Sequence, residues 1–247
     1  MSYLPWISDS DLQAAVKKLA TSVFSARAKA ERNISRNVLD PFGLLFNISF
    51  LSHDVATWKE NEIVRQAEKA LSNAVGDFHQ EIIAHVAGWH DPQTAQDFDL
   101  IHKGKKIVVE MKNKYNTLNA EGLKTCFQKL NAAVNVKHSA FYGYKAYCVN
   151  IVPKRLKTTG PLIGIVPFQV KDNSSSTPTL KAPNVFLIDG HTFYKEATGS
   201  PTALHDLLFV LPQVIQNLKQ SKKKARLDKS ALDYIQSVFE DTYSSKS

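Results

Sequence analysis

The chain has 247 residues, 43% of them hydrophobic, and its 31 lysines and arginines exceed its 23 aspartates and glutamates to give a net charge of +8. This apolar content can fill a buried core, which excludes a disordered or collagen-like chain, and the positive charge suits a polyanionic partner. Because there is no apolar run of about 18 residues and no basic segment ahead of an apolar stretch at the N-terminus, we expect neither a membrane span nor a signal peptide, and hence a cytoplasmic protein.

Residues 1–90 predict a helical N-terminal portion. Apolar residues recur at helical spacing, and Asp40-Pro41 interrupts the pattern. Thr57 followed by Glu60 forms a capping box, which predicts the start of a second long helix at this point. Gly76 is a position at which that helix can break in two.

From residue 97 the sequence changes to the two-residue alternation that is typical of strands. Residues 97–102 and 106–112 each predict a strand, and Lys103-Gly104-Lys105 predicts a tight turn between them. The pattern after this hairpin predicts a helix from Asn119 to about Val136, strands at 146–152, 162–168 and 185–188, a polar loop at 172–178, a helix starting at Ser200-Pro201, a basic run at 219–226 and a last helix at 228–240.

This order of elements predicts an α/β fold. We expect a mixed central β-sheet flanked by helices, joined to the helical N-terminal portion. The whole chain, 1–247, is predicted to form a single domain. Within it, 1–90 is helical, 91–190 forms the sheet core that carries the functional site, and 191–247 supplies C-terminal helices.

Several motifs with well-defined chemistry are absent from the sequence. Cys126 and Cys148 are the two cysteines, and neither has the CxxC or Cys/His spacing of a metal site, so we expect reduced core residues. There is no GxxxxGK[ST] phosphate loop, no HExxH and no GxSxG. We therefore do not expect the protein to use ATP.

The predicted hairpin brings charged side chains onto one surface. Alternate residues of a strand share a face, so Glu110 and Lys112 project together while Val109 projects the other way into a core. By the same rule, Asp97 shares a face with Asp99. Carboxylates and an ammonium group are thus expected side by side on a buried sheet.

This set of groups is the one that phosphodiester hydrolysis requires. Carboxylates hold Mg²⁺, the ion stabilises charge on the phosphate, and a third group positions the attacking water. We predict that Asp99 and Glu110 bind the metal and that Lys112 orients the water, with a lowered pKa that helps to remove its proton. The alternative is a Glu–Lys pair on an exposed strand with a structural role only.

At these residues the chain resembles the PD-(D/E)xK nuclease superfamily, in which an Asp opening one strand precedes a Glu-x-Lys on the next. The matching residues are Asp99 and then Glu110-Met111-Lys112. Phe98 stands where the superfamily pattern has proline, which leaves Asp97 as an alternative metal ligand. We favour Asp99 because Leu100-Ile101 follows it directly. The resemblance implies a restriction-endonuclease-like core.

Members of this superfamily often add a side chain from the helix that precedes the hairpin. Asp77, Gln80 and Glu81 share one face of the predicted helix. Glu81 is predicted to be the additional metal ligand, and a solvated glutamate without a catalytic role is the alternative. His79 is predicted to be a packing or surface histidine rather than a site residue.

Further segments resemble one family within the superfamily, the type II restriction endonucleases that cut GGNCC. They are Asp40-Pro41-Phe42, Gly76-Asp77-Phe78-His79-Gln80, the segment from Glu110 to Thr117, and Asp189-Gly190 with Ala197-Thr198-Gly199. This resemblance implies a single nuclease domain that uses Mg²⁺ to cut double-stranded DNA as a homodimer, with a cognate DNA methyltransferase as its functional partner. A two-fold enzyme also suits a palindromic target, because each active site cuts one strand.

Polar residues after the catalytic strand and a basic run near the end of the chain predict DNA contacts. The candidates are Lys114, Asn116, Asn119, Lys222, Lys223 and Lys224. The first three are predicted to reach bases or phosphates, and the lysine run is predicted to hold the phosphate backbone without reading sequence. Ordinary turn residues and a solvated linker are the respective alternatives.

Two other functions are compatible with the sequence. One is a structure-specific nuclease of DNA repair or recombination with the same fold, which would prefer junctions or flaps over a defined sequence. The other is a non-catalytic DNA-binding module, which would bind without Mg²⁺ and make no cuts. Discrete fragments from plasmid DNA would distinguish the restriction enzyme from both.

Overall fold

The computed structural model describes residues 2–34, 39–92, 98–156, 160–161, 163–170, 179–218 and 228–243. Its helices are α1 (Asp9–Asn33), α2 (Pro41–Asn47), a π-helical turn (Ile48–Ser52), α3 (Val55–Ala84), α4 (Ala120–Asn135), α5 (Gly190–Thr198), α6 (Ala203–Asn217) and α7 (Lys229–Tyr243). Its strands are β1 (Leu100–His102), β2 (Ile107–Lys114), β3 (Lys145–Val152), β4 (Arg155–Leu156), β5 (Gly160–Pro161), β6 (Ile165–Pro167) and β7 (Val185–Asp189). The predicted polar loop at 172–178 and basic run at 219–226 lie outside the described residues.

The chain divides into two compact units, of which Ala14–Phe78 is helical and Met1–Gln13 with His79–Ser247 contains the sheet. In the helical unit, α2 begins where the sequence pattern is interrupted. Pro41 occupies its first turn, and Asp40 Oδ1 accepts a hydrogen bond from the Phe42 N–H at 3.0 Å. The Asp-Pro pair therefore starts a helix at this position.

The beginning of α3 differs from the prediction. Asp54 Oδ1 accepts hydrogen bonds from the N–H groups of Ala56 and Thr57 at 2.8 and 2.9 Å, so the helix starts at Val55. Thr57 donates its hydroxyl to Asp54 Oδ2 at 2.7 Å. The predicted capping box of Thr57 and Glu60 is therefore wrong, because Asp54 satisfies the first N–H groups of the helix instead.

The predicted break at Gly76 is also wrong. α3 continues through Gly76 to Ala84 without interruption. A glycine in a helix interior costs only about 1 kcal/mol relative to alanine. Side chains on the same helix, including those of Phe78 and Ile82, are buried, and their packing offsets this cost.

The second unit contains a mixed five-stranded sheet in the order β1-β2-β3-β7-β6. The central strands β2, β3 and β7 are parallel, whereas β1 and β6 pair antiparallel at the edges. α4 supplies the crossover connection that the parallel pair of β2 and β3 requires. The prediction of an α/β fold with a mixed central sheet flanked by helices is confirmed.

α4 packs on one face of this sheet, and the charged residues lie on that same face. The core on that face includes Ile101, Val108, Ala146, Cys148 and Val185 from the strands and Cys126, Phe127, Leu130, Ala133 and Val134 from α4. Because residues alternate along a strand, Glu110 and Lys112 lie on the same face of β2 as Val108. Asn119 caps α4 as predicted, by accepting a hydrogen bond from the Gly122 N–H at 2.8 Å.

Among the described residues between β7 and α7, two helices, α5 and α6, lie where the sequence predicted one. Asp189 caps α5 by accepting a hydrogen bond from the Thr192 N–H at 3.0 Å, and Gly199, with φ of 77°, ends that helix. The predicted helix start at Ser200-Pro201 is wrong, since α6 begins at Ala203. The residues after Gly199 complete the turn between the two helices instead of opening the second.

The terminal helix predicted at 228–240 is present as α7. Tyr243 donates its hydroxyl to the Ile151 carbonyl of β3 at 2.6 Å, and Phe239 packs edge-on against His205 of α6. In the described parts of the chain, no helix combines the length and apolarity needed to cross a membrane.

Candidate active site

Asp99 immediately precedes β1, and the neighbouring strand fixes its side chain. Its N–H donates to the Val109 carbonyl at 3.0 Å, and its Oδ2 accepts a hydrogen bond from the Met111 N–H at 2.6 Å. These bonds continue the antiparallel pairing of β1 with β2, which places Asp99 opposite Glu110. Asp97, the alternative ligand, lies outside the described residues.

Glu110 lies between two lysines. Lys112 Nζ donates to Glu110 Oε1 and Lys129 Nζ donates to Glu110 Oε2, each at 2.8 Å. The Glu110 side chain is 13% exposed, and those of Lys112 and Lys129 are 20% and 31% exposed. Partly buried ion pairs are screened less than surface pairs, so the two contacts hold this carboxylate in a defined orientation.

The pKa values of the site reflect its partly buried charges. Burial raises the pKa of Asp99 and the Glu110 carboxylate raises it further, whereas the hydrogen bond from Met111 and the charges of Lys112 and Lys129 lower it. Burial lowers the pKa of Lys112, but the hydrogen bond and the charge of Glu110 outweigh burial and the pKa is raised. The predicted lowered pKa of Lys112 is therefore wrong.

Asp99 and Glu110 are suitable ligands for a hard divalent cation. Both supply carboxylate oxygens, which Mg²⁺ prefers, and a cation would relieve the repulsion through which Glu110 raises the pKa of Asp99. Across the described residues, no three His, Cys, Asp or Glu side chains gather as a set of metal ligands. The additional ligand role of Glu81, a half-buried residue of α3, thus stays a prediction.

Sequence reasoning missed Lys129. This residue lies on α4, three positions after the buried Cys126, and reaches Glu110 on the face of the sheet that α4 covers. Its ammonium group is also 5.2 Å from the ring centre of Phe98, a distance that allows a cation–π contact. The available signal in the sequence was a lysine beside the apolar stripe of the helix that connects the strand carrying Glu110 to the next parallel strand.

The residues predicted to contact DNA at the end of β2 and just after it are exposed. Lys114 ends β2, where its carbonyl accepts the Thr117 hydroxyl at 2.7 Å and closes a turn that contains Asn116. Asn119 uses its side-chain oxygen to cap α4, and its NH₂ group takes no part in that bond. Lys222, Lys223 and Lys224 lie outside the described residues, and all six contacts stay predictions.

Both cysteines are free and buried, as predicted. Their Sγ atoms are 3.9 Å apart, and Cys148 lies beside Glu110 in the register of β2 and β3. The hydrogen bond that Cys148 shares with Cys126 and burial both raise the pKa of Cys148, which favours its neutral thiol form. Both cysteines belong to the hydrophobic core between α4 and the sheet.

His79 connects α3 to α5 and has a packing role, in agreement with the prediction. Its Nδ1 shares a 2.7 Å hydrogen bond with the Tyr194 hydroxyl, and the two rings meet edge to face at 5.8 Å between centres. Burial lowers the pKa of His79 to about 4. The imidazole that bonds to Tyr194 is therefore neutral at pH 7.

We expect His79 to make stability depend on pH. Its pKa of about 4 in the folded protein lies below the ordinary value of 6.5, so the unfolded chain binds a proton first and stability falls as the pH drops from 6.5 to 4. A complete shift of this size corresponds to about 3 kcal/mol, and because water reaches part of the residue we expect about 2 kcal/mol.

Urea unfolding of the wild type and of His79→Gln, measured above and below this pH window, tests the expectation. The variant should lose less stability on acidification than the wild type. His138→Gln, which alters an exposed histidine, is the matched control and should follow the wild type. Parallel pH curves for wild type and His79→Gln would contradict the assignment.

Comparison with known proteins identifies the family. The model of the Eco47II restriction endonuclease family matches residues 4–220. The chain belongs to this family. It is 39% identical over 217 residues to the type II restriction enzyme Eco47II of Escherichia coli, covering 87% of this chain and 88% of that protein. It is 27% identical over 222 residues to the type II restriction enzyme Sau96I of Staphylococcus aureus, covering 90% of this chain and 83% of that protein.

Membership in the Eco47II family confirms the predicted class, a type II restriction endonuclease. The structure also gives roles to the segments that carry the resemblance. Asp40 caps α2, His79 bonds to Tyr194, and Asp189 caps α5. These family segments outside the hairpin therefore support the fold, whereas the hairpin holds the charged groups.

Proposed function

We propose that this member of the Eco47II family is a Mg²⁺-dependent homodimer that hydrolyses double-stranded DNA within GGNCC. The observation that carries the proposal is the juxtaposition of Asp99, Glu110 and Lys112 on one face of a strand pair, in a chain of a restriction endonuclease family. The target sequence follows from the resemblance of the chain to enzymes that cut GGNCC.

Asp99 and Glu110 are proposed to hold the divalent ion, with Glu81 as an additional ligand and Asp97 as the alternative to Asp99. A bound divalent ion lowers the pKa of a coordinated water and stabilises negative charge on a phosphate. The Met111 N–H already orients Asp99, and the two lysines already orient Glu110. Both carboxylates are thus preorganised, which reduces the reorganisation that binding and reaction require.

Lys112 is proposed to orient the attacking water and to stabilise the charge that develops on the phosphate. In the reaction, the water gives up a proton to solvent as its oxygen forms a bond to phosphorus, the bond from phosphorus to one sugar oxygen breaks, and the departing oxygen takes up a proton from solvent. The raised pKa of Lys112 favours a charged hydrogen-bond donor over a base. This assignment keeps the predicted site for Lys112 and revises its chemistry.

Binding and specificity are proposed to come from groups around this centre. Lys114 ends β2 and Asn116 and Asn119 follow it; all three are exposed and are proposed to contact bases or phosphates. Lys222, Lys223 and Lys224 are proposed to bind the phosphate backbone. A homodimer places one site on each strand of a palindromic target, and a cognate methyltransferase would protect the host DNA.

Digestion of plasmid DNA tests the proposal. In Mg²⁺ we expect discrete fragments whose sequenced ends lie within GGNCC, and in EDTA we expect no cleavage. A plasmid from which every GGNCC site has been removed is the control and should remain intact. Preferential cutting of flaps or junctions would contradict the proposal and favour a repair nuclease, and DNA binding without cleavage under any divalent metal would favour a non-catalytic module.

A further inference from the structure

Glu110 is contacted by ammonium groups from two different structural elements. Lys112 belongs to the same strand as Glu110, whereas Lys129 reaches it from α4, and each lysine takes a different carboxylate oxygen. A single lysine would leave rotation about the last side-chain bond of the glutamate less restricted. Two donors on opposite oxygens define the plane of the carboxylate.

α4 holds Lys129 in place through contacts that do not involve Glu110. The helix is capped by Asn119 and anchored in the core by Phe127 and Leu130, which flank Lys129 in sequence and are buried. The ammonium group also lies near the ring of Phe98. Lys129 is therefore positioned by the fold and approaches Glu110 from a rigid element.

The four charged groups form an electrically balanced cluster. Asp99 and Glu110 contribute two negative charges, and Lys112 and Lys129 contribute two positive charges, both of which act on Asp99 as well as on Glu110. A divalent cation added to such a cluster leaves it with a positive charge of two. If Lys129 were neutral, the carboxylates would attract the cation more strongly, and the loaded site would attract a phosphodiester less strongly.

We propose that Lys129 is a positioning residue that holds Glu110 Oε2 and limits the affinity of the carboxylate pair for a divalent ion. With the ion bound, the site then keeps a net positive charge that attracts the DNA phosphate. This inference rests on the proposed function, since it assigns the ion to Asp99 and Glu110. The two lysines then have different roles. Lys112 orients the water and stabilises charge on the phosphate, whereas Lys129 orients Glu110.

Calorimetric titration of the purified, DNA-free protein with Mn²⁺ tests this role. Lys129→Met removes the charge and keeps most of the side-chain volume, and we expect it to bind Mn²⁺ roughly tenfold more tightly than the wild type. Lys129→Arg keeps the charge, and its affinity should remain within about twofold of the wild type. Lys137→Met removes an exposed lysine just after α4 and should leave Mn²⁺ binding unchanged.

Cleavage measured on the same variants completes the test. Lys129→Met should slow single-turnover cleavage at saturating Mg²⁺ by roughly ten- to a hundredfold, because Glu110 is less well oriented, and Lys129→Arg should recover part of the rate. Tighter metal binding together with slower cleavage is a combination that local unfolding would not give, since unfolding would weaken the metal site.

The results separate this inference from the proposed function. If the wild type cleaves DNA but Lys129→Met binds Mn²⁺ no more tightly than the wild type, the role of Lys129 is overturned and the proposed function stands. If the wild type cleaves no DNA but Lys129→Met still tightens Mn²⁺ binding, the proposed function fails and the effect of Lys129 on the carboxylate pair is supported.

Discussion

Replacing Lys112 by alanine is expected to slow DNA cleavage by about 10²- to 10⁴-fold, the range typical of a lost catalytic donor. The ammonium of Lys112 lies 2.8 Å from Glu110 Oε1 and is one of the two cations at the carboxylate pair. Its removal takes away the group proposed to orient water and to stabilise charge on the phosphate. The measurement is single-turnover cleavage at saturating enzyme and Mg²⁺, so that weaker DNA binding does not enter the rate.

The matched control is Lys103→Ala in the turn of the same hairpin, where the lysine is exposed. It removes one positive charge close by in sequence and should cleave at a rate near that of the wild type. Lys129 remains on Glu110 Oε2 in the Lys112→Ala variant, so we expect the hairpin to stay folded. A Lys112→Ala protein that cleaves within a fewfold of the wild type would contradict the catalytic assignment.

Gly190→Ala is expected to destabilise the protein by about 3 kcal/mol, at the upper end of the range for overpacked sites. A Cβ atom at Gly190 would lie 2.5 Å from the Ile151 carbonyl oxygen and 2.8 Å from Ile151 Cα. β3 is paired with β2 on one side and β7 on the other, so its backbone cannot easily move away. The start of α5 would have to shift instead, and urea unfolding monitored by circular dichroism measures the cost.

Gly76→Ala is the matched control for this substitution. Gly76 lies inside α3, and a Cβ there would meet no atom within 4 Å. Alanine should therefore stabilise the helix by about 0.5–1 kcal/mol, because it reduces the entropy of the unfolded chain. The two glycine substitutions are expected to have opposite signs. A similar loss of stability in both would show that close packing against Ile151 is not the cause for Gly190.

The sequence was most informative where structure depends on near neighbours. The hairpin follows from the alternation of side chains along β1 and β2, and that alternation also places Glu110 and Lys112 on one face. Asn119 caps α4 because its side chain bonds to an N–H group three residues ahead, which is a local interaction. Such features need no knowledge of distant residues, and they were predicted correctly.

The features that sequence reasoning missed depend on competition or on tertiary contacts. Asp54 and Thr57 both have side chains able to cap a helix, and the structure resolves the competition in favour of Asp54. No sequence pattern distinguishes Lys129, and it reaches the candidate site only because α4 packs over the face that carries Glu110. The raised pKa of Lys112 likewise depends on the Glu110 carboxylate, because its hydrogen bond and charge raise the pKa by more than burial lowers it.

The charged groups from Asp99 to Lys129 occupy one continuous stretch of chain, whereas the bond between His79 and Tyr194 joins positions 115 residues apart. A crossover between related genes on either side of that stretch would transfer the complete set of charges from a single parent. The distant helices that support the sheet would come from the other parent. Chimaeras within the Eco47II family can therefore inherit Asp99, Glu110, Lys112 and Lys129 as one block, while the proposed ligand Glu81 comes from the other parent, and we expect their success to depend on whether the block fits the packing of the recipient.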